Sequence, residues 1–342
     1  MKTYSITIKP SSGFGTPLKG DTLFGHICWQ AAYDKDLFGK SLDKLLAEYS
    51  DKPFIVVSSA FPKIGDRYAF KRPDMPLDYL FPFDGLSKAE IIRKRKEYKG
   101  KRWMFVESDK QINSLKAGDL YKNDNELVET AKGAYPDEIQ SDMRKKGIKS
   151  LVADFSQPHN TINRLTGTTG EGPFAPFSVD QKMYIPLTEL SIFIGVAEDF
   201  NIEQVKTAFQ RIGDFGFGKD ASTGLGKFSV SGTSEIDLQR LGAEHPNACY
   251  TLSPCVPEKD LLGDMFFTPF TRFGRHGDIL AKSGKPFKNP VIMADEGAIF
   301  VAKSDDVFTK PYLGTAVLGI SKAEQKAVTQ GYSLYIPVRV EV

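Results

Sequence analysis

Fifteen residues, Gly213 to Lys227 (GDFGFGKDASTGLGK), carry five glycines and two lysines. Glycine allows positive φ and lets a backbone approach a ligand without a Cβ in the way. Such a run can line N–H groups up towards phosphates, with Lys219 and Lys227 adding charge. Gly213, Gly218 and Lys219 come close to a P-loop, but Asp220 stands where a magnesium-binding Ser or Thr belongs. The run also follows a helical pattern where a P-loop follows a strand, so a nucleotidase is rejected. A merely flexible turn is the competing reading.

A second segment, His159 to Phe177 (HNTINRLTGTTGEGPFAPF), reads as a hairpin. Ile162 and Leu165 lie on the approach, Thr and Gly form the tip, and Phe174 and Phe177 lie on the return. Asn160, Asn163, Arg164 and the hydroxyls of Thr166, Thr168 and Thr169 are donors for sugar and phosphate oxygens, and an apolar residue here could wedge between bases. A polar surface loop is the alternative. Phe270, Arg272, Phe273, Arg275 and His276 form a basic–aromatic cluster suited to stacking with charge neutralisation, or to a strand end packed on the core. The basic run Lys88 to Arg102 could track phosphates, although a solvated helix face is the commoner origin of such runs.

Catalytic constellations are missing. His26, His159, His245 and His276 show no metal-ligand spacing among themselves or with the cysteines. There is no Gly-x-Ser-x-Gly and no His-Glu-x-x-His. His26 sits early in a helix, where an RNA-cleaving protein could place a general base, but no acid partner can be named for it. The expectation is a non-enzyme with no cofactor and no metal.

The elements that must position these residues follow from periodicity. Lys2 to Lys9 alternates as a strand, with Tyr4, Ile6 and Ile8 on one face. Asp21 or Thr22 is expected to cap a helix carrying Leu23, Phe24, Ile27, Cys28 and Ala31. Phe54 to Val57 reads as a buried strand, and Lys182 to Ala197 as a strand bent at Pro186. Asn201 is expected to cap a helix with Val205, Ala208, Phe209 and Ile212 inward, and Lys227 to Gly232 reads as a strand. The order β-α-β, long insertion, β-α-glycine loop-β is the ferredoxin-like plan of RNA-recognition motifs. The fold class expected is α+β with two ferredoxin-like domains. The first spans 1–235 with an insertion at 61–180, and the second, degenerate, spans 236–342. Its strands are expected at Cys249–Ser253, Met265–Thr271, Pro290–Val301 and Ser333–Val342, with a helix at Ser321–Thr329.

Bulk properties agree with a two-domain globular chain. Its 342 residues are 41% hydrophobic and 26% charged, with a net charge of +2. That charge is too small to announce nucleic acid by itself, so local patches decide. No apolar run reaches the roughly 18 residues of a membrane span. The first residues go straight into a strand pattern, unlike a signal peptide. Three cysteines make no paired framework, which suits a reducing cytoplasm.

Taken as one set, four segments resemble a known family: GFGTPLKGDTLFG at 13–25, HNTINRLTGTTGEG at 159–172, GFGKDASTGLGK at 216–227 and QGYSLYIPVR at 330–339. The set is similar to the fourth Csm subunit of type III-A CRISPR effector complexes, a repeat-associated mysterious protein (RAMP) of the Cas-five group. The similarity runs from the first strand to the last, with 60–150 the least diagnostic part. The resemblance implies a non-catalytic RNA-binding subunit that caps the complex at the repeat-derived 5′ handle of the CRISPR RNA. It implies docking to the large polymerase-palm (cyclase) subunit and to an adjacent backbone subunit, with target RNA nearby and no membrane. A thumb at about Asn160 to Phe177 would interrupt guide–target pairing. Handle contacts would fall on Gly216, Gly218, Lys219, Ser222, Thr223, Gly224 and Gly226, and on Lys19, Gly20, Asp21 and Thr22. Asp21 reads as a cap and is not equated with the target-cleaving aspartate of backbone subunits.

If His26 touched the RNA, a CRISPR-RNA-processing endonuclease of the same superfamily would be the nearest alternative. The equivalent Cmr or Csx subunit is another. Outside nucleic acid, the glycine loop could bind a small phosphorylated ligand or be purely structural.

Overall fold

The computed structural model describes residues 1–341. Strand β1 (Lys2–Pro10) lies between two neighbours and is covered on both faces, so Ser5 and Thr7 are buried along with Ile6 and Ile8. Helix α1 (Gly20–Tyr33) turns Leu23, Phe24, Ile27 and Ala31 inward at helical spacing. Helix α2 (Leu42–Ala47) then leads to β2 (Ile55–Ile64).

The next stretch supplies β3 (Arg67–Lys71), α3 (Leu77–Leu80), α4 (Lys88–Gly100), β4 (Trp103–Glu107), β5 (Tyr121–Lys122), α5 (Asp124–Lys132), α6 (Asp137–Lys145), β6 (Val152–His159) and β7 (Phe177–Tyr184). Strand β8 (Glu189–Val196), helix α7 (Ile202–Phe215) and β9 (Phe228–Glu235) follow. Asn201 caps α7 as its sequence predicts, accepting from the Glu203 N–H at 3.0 Å, while Gln204 returns a bond to the Asn201 N–H.

Strands β9, β1, β8 and β2 are adjacent and antiparallel in that order. Numbered along the chain this is 4-1-3-2, the ferredoxin-like arrangement. Strands β3, β4 and β5 extend the sheet beyond β2 to seven strands, so the inserted stretch continues the sheet and buries a small core of its own around Leu127, Val128, Met143 and Ile185. The basic run became α4, capped by Ser87 and Glu90, with Tyr98 its buried residue.

The second sheet uses β10 (Ala248–Thr251), β11 (Leu262–Phe266), β14 (Ile299–Ala302), β15 (Tyr312–Gly314) and β16 (Tyr332–Val338). A separate hairpin is formed by β12 (Pro269–Arg272) and β13 (Val291–Ala294). Strands β16, β10, β14 and β11 repeat the 4-1-3-2 order, with β15 added at the edge. Among the described residues no α-helix follows β9, which is the sense in which this ferredoxin-like unit is degenerate. Ile192 and Ile194 of the first sheet share one apolar core with Tyr250, Leu252, Leu334 and Ile336 of the second. No helix among the described residues is long and apolar enough to cross a membrane.

Several expectations are corrected. Lys182–Ala197 is divided between β7 and β8 where Leu187 takes φ +66°, and both parts run antiparallel to the chain from Lys2 to Phe14, so the break is a bend and not a reversal. Met265–Thr271 and Pro290–Val301 each divide into two strands. Ser321 accepts the N–H groups of Ala323 and Glu324 as a helix start would, but the segment closes as a loop through the Val317–Thr329 bridge. The strand expected over Ser333–Val342 ends at Val338, and Val342 lies outside the described residues.

Candidate nucleic-acid interface

Helix α7 ends on Gly216 (φ +105°), and the chain then doubles back on itself. Phe217, fully buried, donates its N–H to the Gly226 carbonyl at 2.9 Å. Gly218 (φ +76°) lies so close to Thr16 that a Cβ would sit 2.5 Å from the Thr16 Cβ. The Gly226 N–H reaches the Gly13 carbonyl at 2.7 Å, Lys219 N–H reaches Thr16 Oγ1 at 2.8 Å, and Lys227 N–H reaches Ser12 Oγ at 2.9 Å. The loop is therefore sewn onto the segment joining β1 to α1.

That geometry narrows the expected phosphate cradle to the turn at Asp220–Ser222. The N–H groups of Gly216, Phe217, Gly218, Lys219, Thr223, Gly224, Leu225, Gly226 and Lys227 are all satisfied inside the protein. The glycines serve a tight fold, and what the loop turns outward is side chains: Lys219, Ser222, Thr223 and Lys227. Phe215, at the end of α7, is 73% exposed beside them. Its spacing from Ile212 would have placed it in the core, so only the structure reveals this aromatic.

His26 is part of the same construction. Its Nε2 accepts the Gly218 N–H at 3.1 Å, and its ring packs on Phe217 with centroids 4.7 Å apart. The acceptor role requires an unprotonated Nε2, and burial pulls the pKa down to about 4. His26 braces the loop from beneath and does not present its Nε2 to a ligand. Because the folded-state value lies below the ordinary 6.5, this stabilisation is complete above about pH 6.5 and is lost as pH falls towards 4. The difference amounts to about 3 kcal/mol at about 1.4 kcal/mol per pH unit. We expect an NMR titration of the His26 ring to show a midpoint near 4, and the His26→Gln variant to lose this component of the acid dependence.

The hairpin is longer than its sequence predicts. Its stem is β6 paired with β7 from Val152↔Tyr184 to His159↔Phe177, and residues 160–176 form the tip. Asn163 Oδ1 accepts the Leu165 N–H at 2.9 Å, and the Thr166 and Thr168 hydroxyls bond each other at 3.0 Å. Asn160, Arg164 and Thr169 are exposed, and Leu165 is 95% exposed at the turn. The stem rises from the β1–α1 segment, where Phe14 exchanges both backbone bonds with Lys182 at 2.9 Å. A Cβ on Gly13 would displace the ends of the Gln181 and Met183 side chains. Residues 11–16 thus join the glycine loop to the thumb.

The opening residues of α1 face elsewhere. Lys19 Nζ is bound by Asp295 Oδ1 at 2.5 Å and Glu296 Oε2 at 2.7 Å. Asp21 is not a cap: Lys19 occupies the N-cap position, and the buried Asp21 carboxylate holds Arg272 bidentately at 2.5 and 2.8 Å. Gly20 packs against Val57 and Ser253. These residues, and Arg272, tie the two sheets together and are withdrawn from the RNA-facing set. Thr22 is half-buried, and Arg275 is exposed on the β12–β13 hairpin. Among the described residues no group of three or more His, Cys, Asp or Glu side chains could hold a metal ion.

Two ferredoxin-like sheets, a glycine loop and a projecting thumb define a protein with the RAMP fold. Over its whole length the chain is similar in fold to solved Csm chains. One comes from a Csm1–Csm4 cassette in complex with cA4 (TM-score 0.56, 15% identity, 100% of this chain and 99% of that one). Another comes from a Csm1–Csm4 cassette in complex with pppApA (TM-score 0.55, 15% identity, the same coverage). A third is from the Csm3–Csm4 subcomplex of the type III-A CRISPR-Cas interference complex (TM-score 0.51, 16% identity, 98% and 99% covered). At such identities the likeness is one of fold. No family model matches the sequence, and no curated protein does.

Proposed function

We propose that this chain is a non-catalytic, Csm4-like subunit of a type III-A CRISPR-Cas effector complex, holding the repeat-derived 5′ handle of a CRISPR RNA. The observation that carries the reading is the joining of glycine loop and thumb through residues 11–16, which sets Lys219, Ser222, Thr223 and Lys227 beside an exposed ribbon. Single strands are held by such a pairing of cations with surfaces for splayed bases. The neighbours in fold were solved with Csm1 or Csm3, and the proposed partners are accordingly a large polymerase-palm subunit and a backbone RAMP subunit. Engagement of His26 Nε2 by Gly218 favours this reading over an endonuclease using His26.

Co-expression of the tagged chain with the other Csm subunits and a CRISPR array tests the proposal. The expected result is recovery of intact short RNAs sharing one 5′ end. Lys219→Glu with Lys227→Glu should lower RNA occupancy at least tenfold with the protein still folded, since two phosphate contacts are replaced by repulsion. Recovery of the complex without RNA, or cleavage of RNA by the chain alone, would overturn it.

A further inference from the structure

We infer that the hairpin from Pro269 to Ala294 is a second contact for single-stranded RNA, separate from the glycine loop and resting on the RNA-binding reading above. The ladder of β12 and β13 continues past both strands: Lys288 N–H reaches the Gly274 carbonyl at 2.8 Å, and His276 N–H reaches the Pro286 carbonyl at 2.9 Å. This arm lies along α1 from one end to the other. Arg272 grips Asp21 at its root, and at its tip a Cβ added to Gly277 would lie 3.2 Å from Trp29 Nε1. On its other side, buried His276 bonds Ser321 Oγ at 2.7 Å. The arm is thus clamped at its root and towards its tip, and what it exposes is held in place.

Its exposed surface has the composition that single strands select. From Arg272 to Asn289 there are five cations and one acid, Asp278. Arg272 is neutralised by Asp21 and Lys288 is largely buried, which leaves Arg275, Lys282 and Lys285 exposed, a local charge that a polyanion neutralises. Phe273 and Phe287 are 76% and 67% exposed. The Arg275 guanidinium covers Phe287 at 5.6 Å, an arrangement of aromatic face and cation on which a base stacks. Ile279 and Ile292 are exposed on the same arm, so a protein is the competing occupant that the test separates; the excess of cations over acids is what favours a polyanion.

The test is binding of a fluorescent 20-nucleotide oligouridine to the full chain across a salt series. Lys282→Ala with Lys285→Ala should reduce the slope of log affinity against log salt by about 1.4, at roughly 0.7 per contact for single strands. Phe287→Ala should weaken binding roughly tenfold, from the loss of one stacked base. Lys219→Glu is measured alongside. Arm variants that bind like the parent while Lys219→Glu weakens binding would overturn the arm and leave the glycine-loop reading intact. A parent chain that binds no RNA would overturn both. Arm variants that keep RNA but lose a protein subunit of the co-expressed complex would identify the arm as a protein dock and also overturn the inference.

Discussion

Lys19→Met is expected to lower stability by about 3–5 kcal/mol, the range for removing one member of a buried ionic group. Lys19 bridges Asp295 and Glu296, with the ring of Phe270 4.8 Å from its Nζ, while Lys71 reaches only Asp295 of the two, at 3.5 Å. Burial draws the Lys19 pKa down, but the two carboxylates raise it by more. Burial holds Glu296 above its ordinary value even with Lys19 in place. Without Lys19 it must rise further, so the penalty of the variant is complete at high pH. It shrinks as pH falls through the raised folded-state pKa towards the unfolded value of about 4.3, where both states take up the proton. Urea unfolding of the variant and of Lys19→Met with Glu296→Gln measures this. The second change should restore part of the loss, and no restoration would mean that Lys19 acts by packing alone.

The second large effect is expected at Gly226. Its φ of +73° is strained for any residue with a Cβ, and that Cβ would collide with the backbone nitrogen and oxygen of Phe217. Gly226→Val should cost about 3 kcal/mol or more, the sum of backbone strain and overpacking. Gly224 is the control: φ is +102°, but a Cβ there meets nothing within 4 Å. Gly224→Ala should cost only the strain, about 1–2 kcal/mol. Because Gly226 N–H bonds Gly13, next to the Phe14–Lys182 exchange, Gly226→Val should also speed hydrogen exchange of the Phe14 and Lys182 amides. Unchanged exchange there would show that loop and thumb are not coupled.

What could be seen in the sequence was what local periodicity encodes. The alternation of Tyr4, Ile6 and Ile8, the inward stripe of α1 and the cap at Asn201 all carry their signal within a few residues, and together they yielded the strand order. The missed breaks between strands were written more faintly. Gly297 (φ +88°) divides β13 from β14 and Pro269 opens β12, yet both sit in segments whose residues suit a continuous strand. The site was harder, because its meaning depends on distant partners. Asp21 looks like a cap until Arg272, 251 residues away, is brought to it. His26 looks like a base or a surface residue until Gly218 arrives from 192 residues away. A glycine-rich loop looks the same in sequence whether its N–H groups face a phosphate or the protein's own carbonyls.

The shared core has a consequence for synthesis. Strand β2 shifts register between Val57 and Ala60, and there Gln330 completes the pairing: Val57 N–H donates to Gln330 Oε1 at 2.9 Å, and Gln330 Nε2 donates to the Val57 carbonyl at 2.7 Å. The two residues are 273 apart, which a ribosome adding 5–20 residues per second covers in roughly 15–55 s. For that interval the nascent β2 carries backbone groups and apolar side chains whose permanent cover has not been made. A chaperone that shields nascent strands would find this window in the growing chain, and a ribosome stalled before Gln330 would hold the chain in it.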